Sequence, residues 1–272
     1  NRIFSLRKTP PNFAHATLVT FQDYYLRRFL LETYAQVKAN LKSLKLPSFS
    51  ENLDMRIQEA IEIKMSYADF LLILTQDEVD RRKQTKRETT IKKAGLGRYK
   101  TMREFDFDFN PKINRRRIMD LNTCEFMKVN NNILLVGPTG VGKTFLAKAI
   151  AHEACCRGYS VLFTRTMKML EYIYSGKADN TAQKKMNQFL KPDLLVLDDW
   201  GLQAFPNQLL NILNEIISER YEQGSIIVTS NRPMETWNEL FTEPVVSSAL
   251  LDRLLHNAHK IIIDGKSYRT RL

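Results

Sequence analysis

A chain of 272 residues is longer than one average domain, and its 43% hydrophobic and 26% charged residues are typical of folded proteins, which excludes a largely disordered chain. Its 41 Lys and Arg against 30 Asp and Glu give a formal charge of +11, which suits a polyanion as partner, although a basic but merely soluble protein fits the net charge equally well. No apolar run reaches the roughly 18 to 20 residues that span a bilayer, and the first residues lack a signal-peptide pattern. We therefore expect no membrane partner and a cytoplasmic protein.

The first part of the chain predicts a small, all-helical domain. Residues 1–34 are rich in aromatic side chains but show no period, so they are an unassigned N-terminal extension. Apolar residues at helical spacing predict helices over residues 34–46 and 51–64. A third helix is predicted to begin after Ser66, whose hydroxyl can cap it together with Asp69 three residues on. Residues 35–100 form the predicted helical domain, which we expect to bind DNA or a partner.

A strongly basic run closes this domain. Between Arg81 and Arg103 the chain has ten basic residues and one acid, Glu88. So dense a run can neutralise several phosphates of DNA, although a solvated helix face followed by a linker is the simpler alternative. The predicted DNA contacts are Arg81, Arg82, Lys83, Lys86, Arg87, Lys92 and Lys93. We place the domain boundary near residue 100, and expect Phe105, Phe107 and Phe109 to extend from it and pack on the next domain.

Residues 101–272 show the pattern of an α/β domain. Apolar runs at 132–137, 161–164, 194–199, 225–230 and 260–264 alternate with helical segments. Runs that are apolar on both faces are typical of parallel strands covered by helices on both sides. The sequence predicts a parallel five-stranded sheet.

A glycine-rich loop follows the first of these strands. It reads Gly137-Pro138-Thr139-Gly140-Val141-Gly142-Lys143-Thr144, between the run Ile133–Val136 and the start of a helix, which is the context of a phosphate loop. Its glycines let successive N–H groups point at phosphates, Lys143 can reach the β- and γ-phosphates, and the Thr144 hydroxyl can bind Mg²⁺. We predict an ATP site with Mg²⁺ that also includes Phe145. The alternative is a flexible glycine turn.

Acidic and polar residues end two further strands. Asp198 and Asp199 follow Leu194–Leu197, and we expect Asp198 to bind the metal together with Thr144 and Asp199 to orient the attacking water. Many phosphate-loop ATPases use Glu to orient the water, so the shorter side chain of Asp199 leaves its catalytic strength open. The pair can alternatively cap a helix. Asn231, after the strand 225–230, can sense the γ-phosphate or simply form a turn.

Arg253 lies in a predicted helix beside Asp252, where an arginine can act as a catalytic finger or merely be solvated. His256 and His259 have no third metal ligand at suitable spacing except Asp264, which favours structural histidines. Trp200 and Trp237 are expected to pack against the core or a turn rather than to stack on bases.

Read in order, these motifs resemble the IstB-like transposition helper ATPases, relatives of DnaC-type helicase loaders in the initiator branch of the AAA+ superfamily. The resemblance covers about residues 35–272 and leaves residues 1–34 outside. Trp200 departs from it, because relatives often carry a smaller aliphatic residue there. Besides both nucleotide motifs, it rests on these segments: Leu44–Pro47, Glu51–Asp54, Phe105–Phe107, Arg220–Tyr221, Thr229–Pro233, Ala249–His256 and Gly265–Arg269.

The resemblance implies roles that the residues alone do not establish. Asn231 is implied to be a sensor, Arg253 a finger acting on the ATP of a neighbouring subunit, and Arg269 a second nucleotide sensor. It also implies ATP-dependent self-assembly on DNA and cooperation with a transposase in target selection.

Two other functions stay open at this point. A helicase loader has the same ATPase core, but its main act is to bind a replicative helicase. A small-molecule kinase is disfavoured by the basic helical part and by the polar residues after Val228.

Overall fold

The structure is a computed structural model, and it describes residues 32–99, 101–242 and 244–270. The expectation for the N-terminal extension falls almost wholly outside these residues. The described part divides into two compact units between Gln84 and Thr85. None of its helices is both long and apolar enough to cross a bilayer.

The first unit is helical, as the sequence predicts. It contains α1 (residues 32–43), α2 (Pro47–Glu62) and the first part of α3 (Tyr67–Lys93). Pro47 begins α2, where its missing N–H costs no hydrogen bond. The predicted cap of α3 is confirmed, because the Asp69 N–H donates to Ser66 Oγ at 3.2 Å and Ser66 Oγ donates to the Asp69 carboxylate at 2.7 Å.

A buried carboxylate holds α2 against α3. Glu78 is 4% exposed, and it accepts hydrogen bonds from the Ser48 N–H at 3.1 Å, from Arg81 at 2.9 Å and from Arg82 at 2.7 Å. Arg81, then Arg82 and the Ser48 N–H, lower the pKa of Glu78 to about 2 against the opposing effect of burial. Two of the arginines predicted to contact DNA therefore stabilise the helical unit.

We expect Glu78→Gln to destabilise this unit by about 1–3 kcal/mol, because an amide cannot replace a carboxylate that serves two guanidinium groups. A folded pKa below the ordinary value means that the stabilisation is complete above about pH 4.5 and is lost as the pH falls towards 2. Hydrogen exchange of residues 47–82 should be faster in Glu78→Gln than in the wild type at pH 7. Glu62→Gln, at the exposed end of α2, is the control. Equal exchange in both variants would contradict the role of Glu78.

The second unit contains a parallel sheet of five strands in the order β2-β3-β4-β1-β5. Its strands are β1 (Asn132–Val136), β2 (Val161–Arg165), β3 (Leu194–Trp200), β4 (Ser225–Ser230) and β5 (Ala258–Ile262). The predicted sheet is confirmed, although β5 begins two residues before the predicted run. All five residues of β1 are buried, as expected for a central strand.

Helices cover both faces of this sheet. They are α4 (Arg115–Asn122), α5 (Lys143–Cys156), α6 (Thr166–Ser175), α7 (Ala182–Leu190), α8 (Asn207–Arg220) and α9 (Pro244–Leu255). Two hydrophobic clusters flank the sheet. Ile133 and Leu135 of β1 belong to the first cluster, and Leu134 and Val136 belong to the second. This alternation follows from the two-residue period of a strand. Trp200 and Trp237 are fully buried in the second cluster, as expected.

The two units divide earlier in the chain than the predicted boundary near residue 100. Ala94 and Leu96 are buried in the first hydrophobic cluster of the second unit. The Phe163 N–H of β2 also donates to the Ala94 carbonyl at 2.8 Å. Residues 94–96, which the sequence suggested were a linker, are therefore anchored to the sheet, because the apolar side chains of Ala94 and Leu96 join its core.

Candidate active site

The glycine-rich loop connects β1 to α5 at the carboxyl edge of the sheet. Gly140 and Gly142 have φ angles of 86° and 99°, which side chains other than glycine rarely adopt. Space adds a second requirement, since a Cβ on Gly142 would lie 2.7 Å from the Phe105 ring and one on Gly140 would collide with Ser267. Only glycine therefore fits at these two positions of the loop.

Lys143, the first residue of α5, is 6% exposed and lies over this loop. Its Nζ donates to the carbonyl oxygens of Gly137 at 2.8 Å and Pro138 at 2.7 Å. Burial lowers the pKa of Lys143 to about 8, while Asp198 and Asp199 oppose the shift. An ammonium group with so little solvation is well placed to gain from a nearby phosphate.

Asp198 joins the loop to β3. Its Oδ1 accepts hydrogen bonds from Thr144 Oγ1 at 2.8 Å and from Thr229 Oγ1 at 2.5 Å. A hydroxyl and a carboxylate of this kind are oxygen ligands that Mg²⁺ prefers. Within the described ranges no three His, Cys, Asp or Glu side chains gather around a metal position. The Thr144 hydroxyl and the Asp198 carboxylate fit a Mg²⁺ ion, which they would hold beside the phosphate loop.

Asp199 lies beside this pair in a left-handed conformation, with φ 57°. Its N–H donates to Thr229 Oγ1 at 3.2 Å, and its carboxylate pairs with Arg165 Nε at 3.4 Å. Burial, and then the neighbouring Asp198 carboxylate, raise the pKa of Asp199, although Arg165 acts in the opposite direction. A carboxylate with raised basicity suits the orientation of a water molecule.

Thr229 is a residue that the sequence reasoning did not assign. Its hydroxyl contacts both acidic residues, since it donates to Asp198 and accepts from the N–H of Asp199. The signal available in the sequence was its position, one residue before the end of the strand that also leads to Asn231.

Most of the predicted nucleotide residues line one cavity of about 250 Å³, whereas Gly137, Pro138, Val141 and Asp198 are not among its lining residues. Asn231, after β4, and Arg269, near the C-terminus, both line it, although they are distant in sequence. The other lining residues are Thr139, Gly140, Gly142, Lys143, Thr144, Phe145, Asp199 and Tyr268. The structure therefore gathers the loop, the second acidic residue and both implied sensors in one place.

Aromatic rings form one side of this region. Phe105 lies 5.2 Å from Phe145 and 5.5 Å from Tyr268 between ring centroids, and Phe109 lies 4.4 Å from Tyr268. The Tyr268 N–H also donates to the Gly140 carbonyl at 2.9 Å. The rings of the 105–109 segment pack on the second unit as expected, but short turns replace the predicted extended conformation.

Arg253 is not part of this cavity. It belongs to the last turn of α9, where the Leu254 carbonyl accepts a hydrogen bond from Asn132 Nδ2 at 3.1 Å. Asn132 is the first residue of β1, whereas the phosphate loop follows its last residue, Val136. Arg253 and the loop therefore lie at opposite edges of the sheet, separated by roughly the 13 Å length of a five-residue strand.

The basic residues of α3 stand apart as well. Lys86, Arg87, Lys92 and Lys93 are exposed, and none of them lines the nucleotide cavity. Lys83 lies 3.8 Å from Asp80, a weak surface contact.

Comparison with known proteins identifies relatives of this chain. The family model described as IstB-like ATP binding protein matches residues 39–272. An ATP-binding protein in an insertion sequence of Mycobacterium tuberculosis is 35% identical over 232 residues, which cover 85% of this chain and 92% of that protein. The insertion sequence IS21 ATP-binding protein of Pseudomonas aeruginosa is 32% identical over 236 residues, covering 87% of this chain and 89% of the relative.

Solved structures share the fold of the second unit. DnaI has a TM-score of 0.55 at 24% identity and covers 62% of this chain and 93% of its own. DnaA from Aquifex aeolicus, bound to AMPPCP, has a TM-score of 0.53 at 20% identity and covers 62% of this chain and 51% of its own. At such identities the likeness establishes only the AAA+ type of fold.

Proposed function

The chain belongs to the IstB-like ATP-binding protein family, and we propose that it is an ATPase that acts as a switch in transposition. In this proposal, two neighbouring subunits assembled on DNA complete each active site. The observation that supports the proposal is the separation of the residues predicted to be catalytic. Lys143, Asp198 and Asp199 lie at one edge of the sheet and Arg253 at the other. In this proposal each chain carries both parts, and two neighbouring chains bring them together in one site.

In this proposal the loop N–H groups and Lys143 bind the phosphates of ATP. The aromatic side chains of Phe145 and Tyr268 line the cavity beside the loop. Thr144 and Asp198 would hold Mg²⁺, which neutralises phosphate charge when bound. Asp199 orients the attacking water, while Asn231 and Arg269 contact the nucleotide from the other lining positions. The neighbouring subunit presents Arg253 to the charge that develops on the γ-phosphate.

Steady-state ATP turnover, measured against protein concentration, tests this assembly. A site completed by two chains should give a specific activity that rises with concentration and then saturates. Duplex DNA should shift the rise to lower concentration, because it gathers subunits on one polymer. Specific activity that is independent of both concentration and DNA would contradict the proposal.

We propose that the exposed part of α3 contributes to DNA binding. Arg81 and Arg82 are engaged by Glu78, so Lys83, Lys86, Arg87, Lys92 and Lys93 are the better candidates of the predicted set. Electrostatic contacts of this kind are independent of DNA sequence and strongly dependent on salt.

Lys86→Gln combined with Arg87→Gln should weaken DNA affinity and reduce the salt slope by about two phosphate contacts. Fluorescence anisotropy with labelled duplex DNA at several salt concentrations measures both quantities. Lys42→Gln with Lys64→Gln is a control of equal charge loss in the helical unit. If the two pairs lose affinity equally, net charge rather than this part of α3 is responsible.

We propose a transposase as the protein partner, supported by relatives that are named for insertion sequences. A transposase encoded beside this protein should bind it in the presence of ATP and DNA. Binding of a replicative helicase instead, with no affinity for the transposase, would favour the helicase-loader alternative.

A further inference from the structure

The end of α8 contacts the last turn of α9 beside Arg253. Tyr221 follows α8 directly, and its hydroxyl shares a hydrogen bond of 3.1 Å with His256 Nδ1. The two rings also pack together, with centroids 5.6 Å apart and planes tilted by 50°. The His256 N–H donates to the Asp252 carbonyl at 2.8 Å, which extends the last turn of α9. The Tyr221–His256 pair thus joins the turn that carries Arg253 to the neighbouring helix.

Tyr221 is itself held in place by the residue before it. Arg220 is 2% exposed and donates to five backbone carbonyls, those of Phe189, Leu190, Pro192, Asp193 and Ser225, at 2.8–3.3 Å. Gly224 leaves room for this guanidinium, since a Cβ there would lie 2.8 Å from Arg220 Nη2. A buried charge with so many hydrogen bonds is costly to move.

The loop after Tyr221 is fixed from a second side. Glu222 has a φ of 59°, and its carbonyl accepts a hydrogen bond from Asn130 Nδ2 at 2.7 Å. Asn130 lies two residues before β1, so the contact ties the end of α8 to the amino edge of the sheet. The residues on both sides of Tyr221, Arg220 and Glu222, are therefore both held by hydrogen bonds, and together they support Tyr221.

Arg253 lines the same small cavity as Tyr221 and Glu222. It is half-buried, and its Nη1 donates to the Ala249 carbonyl of its own helix at 3.4 Å, which is long for a hydrogen bond. Tyr221, Arg253, His256 and Asn257 line the same small cavity. Burial raises the pKa of the Tyr221 hydroxyl, Glu222 adds to the rise through its charge and a side-chain hydrogen bond, Asp252 adds to it as well, and the Arg253 charge opposes it.

We propose that Tyr221 is a positioning residue for Arg253, which it holds in place for the neighbouring subunit by fixing the last turn of α9 through His256. The inference rests on the proposed function, because it requires Arg253 to act on the ATP of another chain. A long arginine side chain gains rate only when its base and direction are fixed before the reaction. Tyr221 and His256 supply that constraint without contacting ATP themselves.

The first test is ATP turnover by Tyr221→Phe, which removes one hydroxyl and keeps the ring. Loss of one positioning hydrogen bond should lower kcat about tenfold and leave KM and the affinity for ATP unchanged. His256→Ala should have a similar effect, whereas His256→Asn, which retains a polar atom near the position of Nδ1, should recover part of the activity. The control is Tyr174→Phe, which removes a hydroxyl from another half-exposed tyrosine, on α6.

The double variant tests whether the two residues act as one unit. Tyr221→Phe with His256→Ala should be no slower than the slower single variant, because either change alone breaks the same bond. Thermal unfolding of each variant verifies folding. If Tyr221→Phe does not fold, the comparison of His256→Ala with His256→Asn decides the question in its place.

Mixed assemblies separate this inference from the proposed function. Asp199→Asn subunits should hydrolyse ATP poorly but retain an intact Arg253, so adding them to Tyr221→Phe subunits should raise turnover above the sum of the two. Adding them to Arg253→Ala subunits should do the same. If neither mixture gains activity, the proposed transfer of Arg253 between subunits is wrong. If the Arg253→Ala mixture gains activity while Tyr221→Phe alone equals the wild type, only the positioning role is overturned.

Discussion

Arg253→Ala should reduce ATP turnover by about 10³- to 10⁵-fold, the range that arginine fingers contribute in well-studied phosphoryl transfer. The reason is geometric as well as electrostatic. Arg253 lies at the amino edge of the sheet, so its removal leaves the phosphate loop, Asp198 and Asp199 of the same chain untouched. The affinity for ATP should therefore stay within about a factor of three of the wild type.

Single-turnover hydrolysis and equilibrium binding of a fluorescent ATP analogue distinguish the two quantities. Arg157→Ala is a matched control, because Arg157 is also a partly exposed arginine, which pairs with Glu153 at the end of α5. It should retain nearly full activity. Wild-type turnover by Arg253→Ala would exclude a finger at this position.

Lys143→Ala should abolish measurable ATP binding at micromolar nucleotide. Lys143 is buried at the phosphate loop, and its loss removes the positive charge nearest to the loop carbonyls of Gly137 and Pro138. Truncation of a buried charge that pairs with a ligand costs about 2–5 kcal/mol, which corresponds to roughly 30- to 4,000-fold in affinity. Isothermal titration with ATP measures the loss.

Lys148→Ala provides the control on the same helix, where its ammonium lies 4.8 Å from the Phe163 ring centroid rather than at the loop. The pH dependence gives a second measurement on the wild type. Because burial lowers the pKa of Lys143 to about 8, the free protein loses this charge above pH 8, and ATP binding must then take up a proton. Affinity should fall as the pH rises from 8 to 9.5, and a flat profile would contradict this account.

Local sequence patterns predicted most of the fold. The apolar runs located all five strands, and the Ser66 cap was predicted from two residues three positions apart. Such features depend on neighbours in sequence, where periodicity and hydrogen-bonding groups can be read directly.

Contacts between distant residues were harder to predict. Glu78 holds Arg81 and Arg82, which looked free to bind DNA, because the fold buries this carboxylate beside Ser48. Thr229 lies between two acidic residues only because β3 pairs with β4. The opposite placement of Arg253 and the loop likewise follows from which end of β1 each one adjoins, and no local pattern reveals it.

The distance between Arg253 and the phosphate loop has a consequence for counting active sites. If each chain gives its arginine to one neighbour and receives one from the other, the contact surfaces are unlike and chains join in a single direction. An open row of such chains always has one fewer complete site than it has chains, whereas a closed ring has as many. In a short row a large fraction of the ATP sites would lack an arginine from a neighbour, so turnover per chain would increase with the length of the row.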